Sequence, residues 1–139
     1  MIPKYLLDTS VWVDLLRTNS PAIRRKLTAH SNNIVGLSVI TLCELQFGVE
    51  LHASRHPHLR TRQQQLLSTV VAPFQIFPLT AEVVRDYGRI RSHLEISGTP
   101  IGPFDTLIAA QAMSMDAILV TSNMQEFRRV PKLRVEDWR

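Results

Sequence analysis

The segment with the clearest local pattern is Gly98-Thr-Pro-Ile-Gly-Pro-Phe-Asp105-Thr-Leu-Ile-Ala-Ala-Gln-Ala-Met-Ser-Met115. Its glycines and prolines disfavour a helix before Pro103, and the apolar residues that follow recur at helical spacing. The pattern predicts a helix that starts near Asp105 and carries this carboxylate in its first turn. Taken alone, a carboxylate in that position is interpreted as a helix N-cap.

The rest of the chain alternates between short apolar runs and helical patterns. The apolar runs predict strands at residues 4–7, 34–37, 74–78, 117–121 and 133–138. Helical patterns follow Thr9-Ser10 and Ser20-Pro21, and two more form a helical hairpin across the turn at Pro57. This alternation predicts an α/β fold: one domain over residues 1–139, with a mostly parallel central sheet flanked by helices on both faces.

Composition limits the class of protein. With 139 residues, 45% of them hydrophobic, the chain can form one domain with a substantial core. It has no apolar run of the roughly 20 residues that a membrane span needs, nor a signal peptide, so we expect a cytoplasmic protein without membrane contact. The single cysteine, Cys43, excludes an internal disulfide, and its apolar neighbours predict that it is buried.

The charge favours an anionic partner. The formal net charge is +4, the isoelectric point is near 9.8, and arginine supplies most of the positive charge. Arginine binds phosphate bidentately, which favours nucleic acid, although a solvated basic face or a surface for an acidic protein would give the same composition. Candidate contacts to RNA or to a protein partner lie at the predicted hairpin tip and on the following long helix: Arg55, Arg60, Arg62, Arg85, Arg89 and Arg91.

Acidic residues stand near the predicted carboxyl ends of several strands. Asp8 ends the first strand, Glu44 follows the second, and Asp105 starts the helix that leads into the fourth. The turn after the fourth strand supplies Asn123 and Glu126. Each residue alone is explained by capping or by a solvated surface. Together they predict a shared site, because ligands of parallel sheets bind beyond the carboxyl ends of strands and converging carboxylates need a cation.

The cation that fits these residues is Mg²⁺ or Mn²⁺. The candidate ligands are oxygens, and the cysteine and histidines lack the spacing of a zinc site. A carboxylate-bound Mg²⁺ supports phosphodiester hydrolysis, which suits a basic protein. The chain has no phosphate-binding G-x-x-x-x-G-K loop, and no second aspartate follows Asp8 as it would in a phosphatase with an aspartate nucleophile.

Four motifs in this order resemble the PIN-domain family, specifically its VapC-type toxins. They are Leu-Leu-Asp8-Thr-Ser-Val, Ser38-Val-Ile-Thr-Leu-Cys-Glu44-Leu, Gly98-Thr-Pro-Ile-Gly-Pro-Phe-Asp105-Thr-Leu-Ile-Ala-Ala, and Val120-Thr-Ser-Asn123-Met-Gln-Glu126-Phe. The resemblance covers nearly the whole chain, and residues 127–138 are similar to the plasmid and enterobacterial VapC branch.

This resemblance implies a Mg²⁺- or Mn²⁺-dependent endoribonuclease that a VapB-type antitoxin inhibits. By analogy, the substrate is a tRNA anticodon stem-loop, that of initiator tRNA. The protein is expected to be a homodimer that forms a larger complex with its antitoxin. The antitoxin is expected to occupy an apolar groove between the two helices of the predicted hairpin.

The resemblance places Asp8, Glu44 and Asp105 on the family's acidic positions; at the fourth, where many relatives have aspartate, this chain offers Asn123 and Glu126. The catalytic set is Asp8, Glu44, Asp105 and Glu126, with Asp8 and Asp105 as the primary metal ligands and Glu44 as a ligand or a base that positions water. Thr9, Ser10 and Asn123 are expected to support the ligands or to contact phosphate. The alternative hypothesis is a catalytically degenerate PIN-like module that only binds RNA or forms complexes.

Overall fold

The central element of the fold is a parallel sheet. The computed structural model describes residues 3–30 and 32–139. Within these residues the sheet has five strands in the order β3-β2-β1-β4-β5, and every adjacent pair is parallel. The strands are β1 (Tyr5–Leu7), β2 (Val35–Ser38), β3 (Gln75–Phe77), β4 (Ile118–Val120) and β5 (Val135–Glu136). The predicted α/β fold is confirmed, and all five strands overlap the predicted segments.

Seven helices connect these strands in the described part of the chain. They are α1 (Thr9–Thr18), α2 (Pro21–Ala29), α3 (Val39–Arg55), α4 (Arg60–Val71), α5 (Ala81–Ile96), α6 (Pro103–Ser114) and α7 (Met124–Phe127). The turn Pro57–Leu59 joins α3 to α4 in the predicted hairpin. Across residues 3–30 and 32–139, none of the helices is both long enough and apolar enough to span a membrane.

The helices cover both faces of the sheet because its strands are apolar on both sides. Tyr5 and Leu7 of β1 belong to one core cluster, which α1, α2, α3 and α4 cover with residues such as Trp12. Leu6, between them, belongs to a second cluster covered by α5 and α6. The alternation follows from the two-residue period of a strand.

The structure identifies the capping positions of two helices. Asp8, Thr9 and Ser10 could each cap α1, and the capping residue is Asp8, whose side chain accepts a hydrogen bond from the Val11 N–H. In α6 the cap position is Gly102 and the first helical residue is Pro103, so Asp105 is the third residue of the helix and not its N-cap. Proline is favoured at the first helical position because its missing N–H has no partner there, which explains the earlier start.

Cys43 was predicted to be buried, and this prediction is wrong: its side chain is exposed. The buried stripe of α3 consists of Thr41, Leu45 and Val49, which are spaced by four residues. Cys43 lies midway between Thr41 and Leu45 and therefore points away from the core. Apolar neighbours in the sequence did not reveal which face of the helix it occupies.

The order of the strands creates a crevice beside β1. From β1 the chain proceeds to β2 and β3 on one side, whereas β4 and β5 lie on the other. Ligands of open parallel sheets bind at such a switch point, beyond the carboxyl ends of the strands. Asp8 follows β1 and Thr121 follows β4 at this point. The fold therefore brings the first candidate ligand to the position that favours a ligand site.

Candidate functional site

Asp8 is the most restrained carboxylate of the site. It is 3% exposed, and its Oδ1 accepts hydrogen bonds from the Ser10 hydroxyl (2.5 Å) and the Val11 N–H (3.2 Å). Its Oδ2 accepts one from the Thr121 hydroxyl (2.5 Å). A carboxylate offers about four lone-pair positions, so Oδ2 retains one for a further ligand. Burial raises the pKa of the Asp8 carboxyl, and the bonds from these three residues oppose that rise.

Glu44 is held by a threonine of the neighbouring helix. It is half-buried on α3, and its Oε1 accepts a hydrogen bond of 2.6 Å from the hydroxyl of Thr9 at the start of α1. The same hydroxyl lies 3.2 Å from Oγ1 of buried Thr41. Thr9 thus supports a carboxylate, as one of its two predicted roles required. The second carboxylate oxygen of Glu44 remains available to a ligand or to water.

The raised pKa of Asp105 indicates that the acidic residues lie close together. It is half-buried in the first turn of α6. Burial is the largest cause of a rise in the pKa of its carboxyl to about 6. The remaining causes are the charges of three other carboxylates: Asp8, Glu44 and Glu126. The four residues predicted as the catalytic set therefore lie near enough to one another for their charges to interact.

The last turn contributes Glu126 and the backbone of Asn123. Glu126 lies in α7, and its charge is one of those that raise the pKa of Asp105. Asn123 precedes α7, and its backbone N–H donates a 2.8 Å hydrogen bond to the Thr121 hydroxyl oxygen. Glu126 therefore supplies the negative charge that this turn adds to the site.

Two hydroxyl residues that the sequence did not single out organise the site. Thr121 is fully buried and bridges Asp8 Oδ2 to the N–H of Asn123. Ser122 donates to the Ser10 hydroxyl oxygen from its own hydroxyl (2.8 Å) and from its N–H (3.3 Å). Ser10 is thereby held against Asp8. The available sequence signal was the hydroxyl pair that follows β4, which mirrors the pair after Asp8 at the end of β1.

The donor atoms fit a hard cation that keeps part of its hydration. Among residues 3–30 and 32–139, no three His, Cys, Asp or Glu side chains already form a complete metal-ligand group. Mg²⁺ commonly binds one or two carboxylates and retains several waters. Asp8, with a vacant position on Oδ2, and Asp105, whose ionisation the neighbouring charges disfavour, supply two such carboxylates. A divalent cation would relieve their repulsion, so the donor set fits Mg²⁺ or Mn²⁺.

The six candidate arginines fall into two groups. Three are ion-paired: Arg60 with Glu50, Arg89 with Asp86 and Arg91 with Glu95. The others, Arg55, Arg62 and Arg85, are exposed and form no ion pair within the described part of the chain. Arg55 and Arg62 are better suited to phosphate contacts, because no ion pair within the described residues holds their guanidinium groups, whereas the charge of Arg85 acts on the Glu82 carboxylate.

An apolar groove of about 770 Å³ adjoins the acidic site and passes between α3 and α4, where the sequence predicted one. Glu44 stands in its wall, and Arg17, His52 and Arg55 also line it. The apolar lining comes from α1, α3 and α4: Val13, Leu16, Leu45, Val49, Leu51, Leu66 and Leu67. Leu51 and Leu66, 52% and 48% exposed, lie together in this groove and extend its apolar surface toward solvent.

Comparison with known proteins identifies related chains. The family model described as PIN domain matches residues 5–133. A tRNA(fMet)-specific endonuclease VapC from Shigella flexneri is 33% identical, covering 97% of this chain and 98% of the relative, and one from Salmonella typhimurium is 30% identical with the same coverage. A solved structure of VapBC2 from Rickettsia felis, bound to a promoter DNA fragment, superposes with a TM-score of 0.89 at 32% identity, covering 97% of this chain and 98% of that one.

Proposed function

This chain belongs to the PIN domain family and to its VapC branch, and on that premise we propose that it is a Mg²⁺- or Mn²⁺-dependent endoribonuclease, the toxin of a toxin–antitoxin pair. The observation that carries the proposal is the convergence of carboxylates on Asp105: burial first, and then the charges of Asp8, Glu44 and Glu126, raise the pKa of its carboxyl to about 6. Such an arrangement is costly without a cation to neutralise it.

Each of the four carboxylates has a proposed role in the reaction. Asp8 and Asp105 would hold the cation, which when bound lowers the pKa of a water and stabilises charge on a phosphoryl group. Glu44 would bind the cation as well or accept a proton from the attacking water, through the oxygen that Thr9 does not occupy. Glu126 would add negative charge to the site, since its charge already acts on Asp105.

RNA is the proposed substrate. The net charge of +4 and the exposed side chains of Arg55, Arg62 and Arg85 favour a polyanion. Two relatives are named tRNA(fMet)-specific endonucleases, which makes the anticodon stem-loop of initiator tRNA the first substrate to test.

The direct test is cleavage of initiator tRNA with Mg²⁺, with Mn²⁺ and with excess chelator, followed by sequencing of the new 5′ ends. We expect cleavage at a defined position only with metal. Glu44→Gln should reduce the rate at least about a hundredfold, because general base and ligand roles both need the carboxylate. Glu50→Gln is the matched control: it lies on the same helix, is paired with Arg60, and should cleave within about twofold of wild type.

Each of the opposite results counts against the proposal. Cleavage that persists in chelator would exclude the metal mechanism. Equal rates for wild type and Glu44→Gln would exclude the acidic site as the catalytic one. A wild-type protein that binds RNA but cleaves none would support the degenerate module.

The groove between α3 and α4 is the proposed binding site for a VapB-type antitoxin. Its apolar floor suits one face of a partner helix or an extended segment. An arginine of the partner could pair with Glu44 at the acidic end and compete with the metal. The solved complex of VapBC2 from Rickettsia felis supports a VapB-type partner for this chain. Assembly of a toxin homodimer with antitoxin into a larger complex belongs to the same proposal.

Gly48→Trp is expected to block this groove. Gly48 lines the groove, and a Cβ added at this position meets no atom within 4 Å. The indole ring of a tryptophan would therefore fill the groove where the antitoxin is proposed to bind. Affinity for the antitoxin should fall at least about a hundredfold, while the free energy of unfolding should not fall, since glycine costs about 0.5–1 kcal/mol in a helix.

Calorimetric titration with the product of the neighbouring gene measures this effect. Gly88→Trp is the control, because Gly88 also lies in a helix with open space at its Cβ but does not line the groove. Wild-type affinity in Gly48→Trp, or an equal loss in both variants, would place the antitoxin elsewhere.

A further inference from the structure

Both oxygens of Asp8 depend on the corner that follows β4, residues 121–123, here called the β4 corner. Thr121 donates directly to Oδ2. The donor to Oδ1 is Ser10, whose own hydroxyl oxygen accepts two hydrogen bonds from Ser122. A shift of the β4 corner would therefore disturb the orientation of the whole carboxylate. Contacts that hold the β4 corner in place therefore also hold the orientation of the Asp8 carboxylate.

The β4 corner is held from outside by the segment that begins at the end of β5, residues 136–139, here called the β5 extension. The Thr121 N–H donates to the Glu136 carbonyl oxygen (3.0 Å). One residue further, Nη2 of Arg139 donates to the Ser122 carbonyl oxygen (3.3 Å). The first bond continues the sheet, whereas the second is a side-chain clamp beyond the end of the strands.

A buried tryptophan anchors the β5 extension. Trp138 is 3% exposed; its ring meets Tyr5 edge-on at 5.2 Å between centroids and stacks on His30 at 5.5 Å. Its Nε1 donates to Glu136 Oε2 (2.9 Å). Burial of so large an aromatic side chain fixes the backbone on either side of it. Arg139 is thus attached to a rigid neighbour.

The guanidinium of Arg139 is itself oriented. Asp137 accepts from its Nε (3.1 Å, Oδ1) and its Nη2 (2.8 Å, Oδ2). This pairing raises the pKa of Arg139 and lowers that of Asp137, and the charge of Asp14 acts on the arginine in the same direction. When a carboxylate binds one edge of a guanidinium group, the remaining N–H groups point in fixed directions. In Arg139 one of them points toward Ser122.

We infer that Arg139 is a positioning residue for the proposed nuclease: oriented by Asp137 and anchored by Trp138, it clamps the β4 corner that orients Asp8. This role rests on the proposed function and adds to it a residue outside the acidic site. Arg139 lies apart from the four carboxylates in the sequence and acts only through Ser122. Its removal should loosen the corner without unfolding the protein, because its side chain is 55% exposed.

The test combines hydrogen exchange with steady-state kinetics in three variants. Arg139→Gln removes the charge and the fork. Arg139→Lys keeps the charge but cannot bind Asp137 and Ser122 together in the same way. Arg134→Gln is the control: Arg134 is also about half-exposed, at 56%, and also bonds a carboxylate and a carbonyl oxygen, those of Asp116, but touches no residue of the β4 corner.

In metal-free protein, amide exchange is followed at Ser122 and Asn123, with the Leu119 amide as reference. Leu119 donates to the Arg134 carbonyl oxygen within the sheet, so it reports global opening. In Arg139→Gln we expect protection at Ser122 and Asn123 to fall about tenfold, with Leu119 unchanged. The kcat for RNA cleavage should fall about tenfold with KM within about twofold. Arg139→Lys should behave as Arg139→Gln does, and Arg134→Gln as wild type.

Several results would overturn the inference. Unchanged protection at the corner in Arg139→Gln would show that the clamp is not needed. An equal loss at Leu119 would reveal general destabilisation. A raised KM that Arg139→Lys restores would make Arg139 an RNA contact. The exchange measurement needs neither metal nor RNA, so it decides the clamp even if the wild-type protein cleaves no RNA and the proposed function fails.

Discussion

Asp105→Asn is expected to reduce RNA cleavage by about a thousandfold. The amide keeps the shape of the side chain but cannot replace a charged ligand, and a bound cation supplies several kcal/mol of transition-state stabilisation, of which about 4 kcal/mol corresponds to this factor. Single-turnover cleavage of tRNA at saturating Mg²⁺ measures the effect. Asp116→Asn is the control, because its side chain is 97% exposed and it follows the C-terminal end of α6, whereas Asp105 lies in the first turn of that helix.

The same substitution is expected to stabilise the metal-free protein at neutral pH. The pKa of Asp105 is raised from 3.8 to about 6, so the native state binds more protons than the unfolded state between these values. Stability therefore falls as pH rises from about 4 to 6, and the full penalty is present above pH 6. Because Asp105 is only half-buried, solvent screening reduces this penalty to about 1 kcal/mol.

Urea unfolding in the presence of chelator, at pH 8 and at pH 4, tests the predicted direction of this effect on stability. Asp105→Asn should exceed wild type by about 1 kcal/mol at pH 8 and by little at pH 4. If Asp105 instead served the helix alone, both stability and cleavage would hardly change in the variant, since asparagine is also accepted near helix starts. A variant that cleaves like wild type would therefore remove Asp105 from the catalytic set.

Thr121→Val should have the largest effect on stability, because it removes a buried hydroxyl with two partners. Asp8 Oδ2 loses its donor and the Asn123 N–H loses its acceptor. Leaving a buried polar group without a partner costs about 1–3 kcal/mol, so we expect a loss of about 2–4 kcal/mol in the free energy of unfolding. Cleavage should fall about 10- to 100-fold, as for other residues that orient metal ligands.

Thr121→Ser separates the hydroxyl from the rest of the side chain. Serine keeps the donor and acceptor and loses one buried methyl group, at a cost of about 1 kcal/mol. Its cleavage rate should stay within a few-fold of wild type. Equal rates for the valine and serine variants would contradict the assignment of Thr121 as the residue that orients Asp8.

The fold could be predicted from the sequence because local pattern and topology agree. Short apolar runs separated by helical periods permit few arrangements other than a parallel sheet with helices on both faces. The same reasoning selected Asp8, which directly follows a predicted strand, and Glu44, which lies in the second turn of the helix after the next strand, because the carboxyl ends of parallel strands share one edge. Asp105 could be placed because Pro103 marks the start of its helix.

The hydroxyl network could not be predicted, because it depends on strand order. Thr121 and Asp8 are 113 residues apart, and only the pairing of β1 with β4 makes them neighbours. Threonine is common in the loops that follow strands, so the presence of a threonine at position 121 did not indicate that it contacts Asp8. The clamp by Arg139 depends in the same way on β5 lying next to β4.

The arginines show a second limit of sequence reasoning. Six were chosen because they lie at the hairpin tip and along one helix, but position along a helix does not reveal which carboxylate lies across a turn. Arg60 pairs with Glu50 from the other arm of the hairpin. Of these six, Arg55, Arg62 and Arg85 remain without an ion pair to the described residues, so half of the chosen set is free of the competition from a carboxylate within 4 Å that the sequence could not reveal.

The central claim is that the four carboxylates form a site for a divalent cation. Calorimetric titration with Mn²⁺ at pH 6 and pH 8 tests it most directly. Each titration is repeated in two buffers of different ionisation enthalpy, which gives the number of protons released. At pH 6 about half of the Asp105 carboxyls carry a proton. We therefore predict saturable binding that releases about half a proton per metal at pH 6, almost none at pH 8, and no such binding in Asp105→Asn. Absence of saturable binding in wild type, or binding that Asp105→Asn leaves unchanged, would contradict the claim.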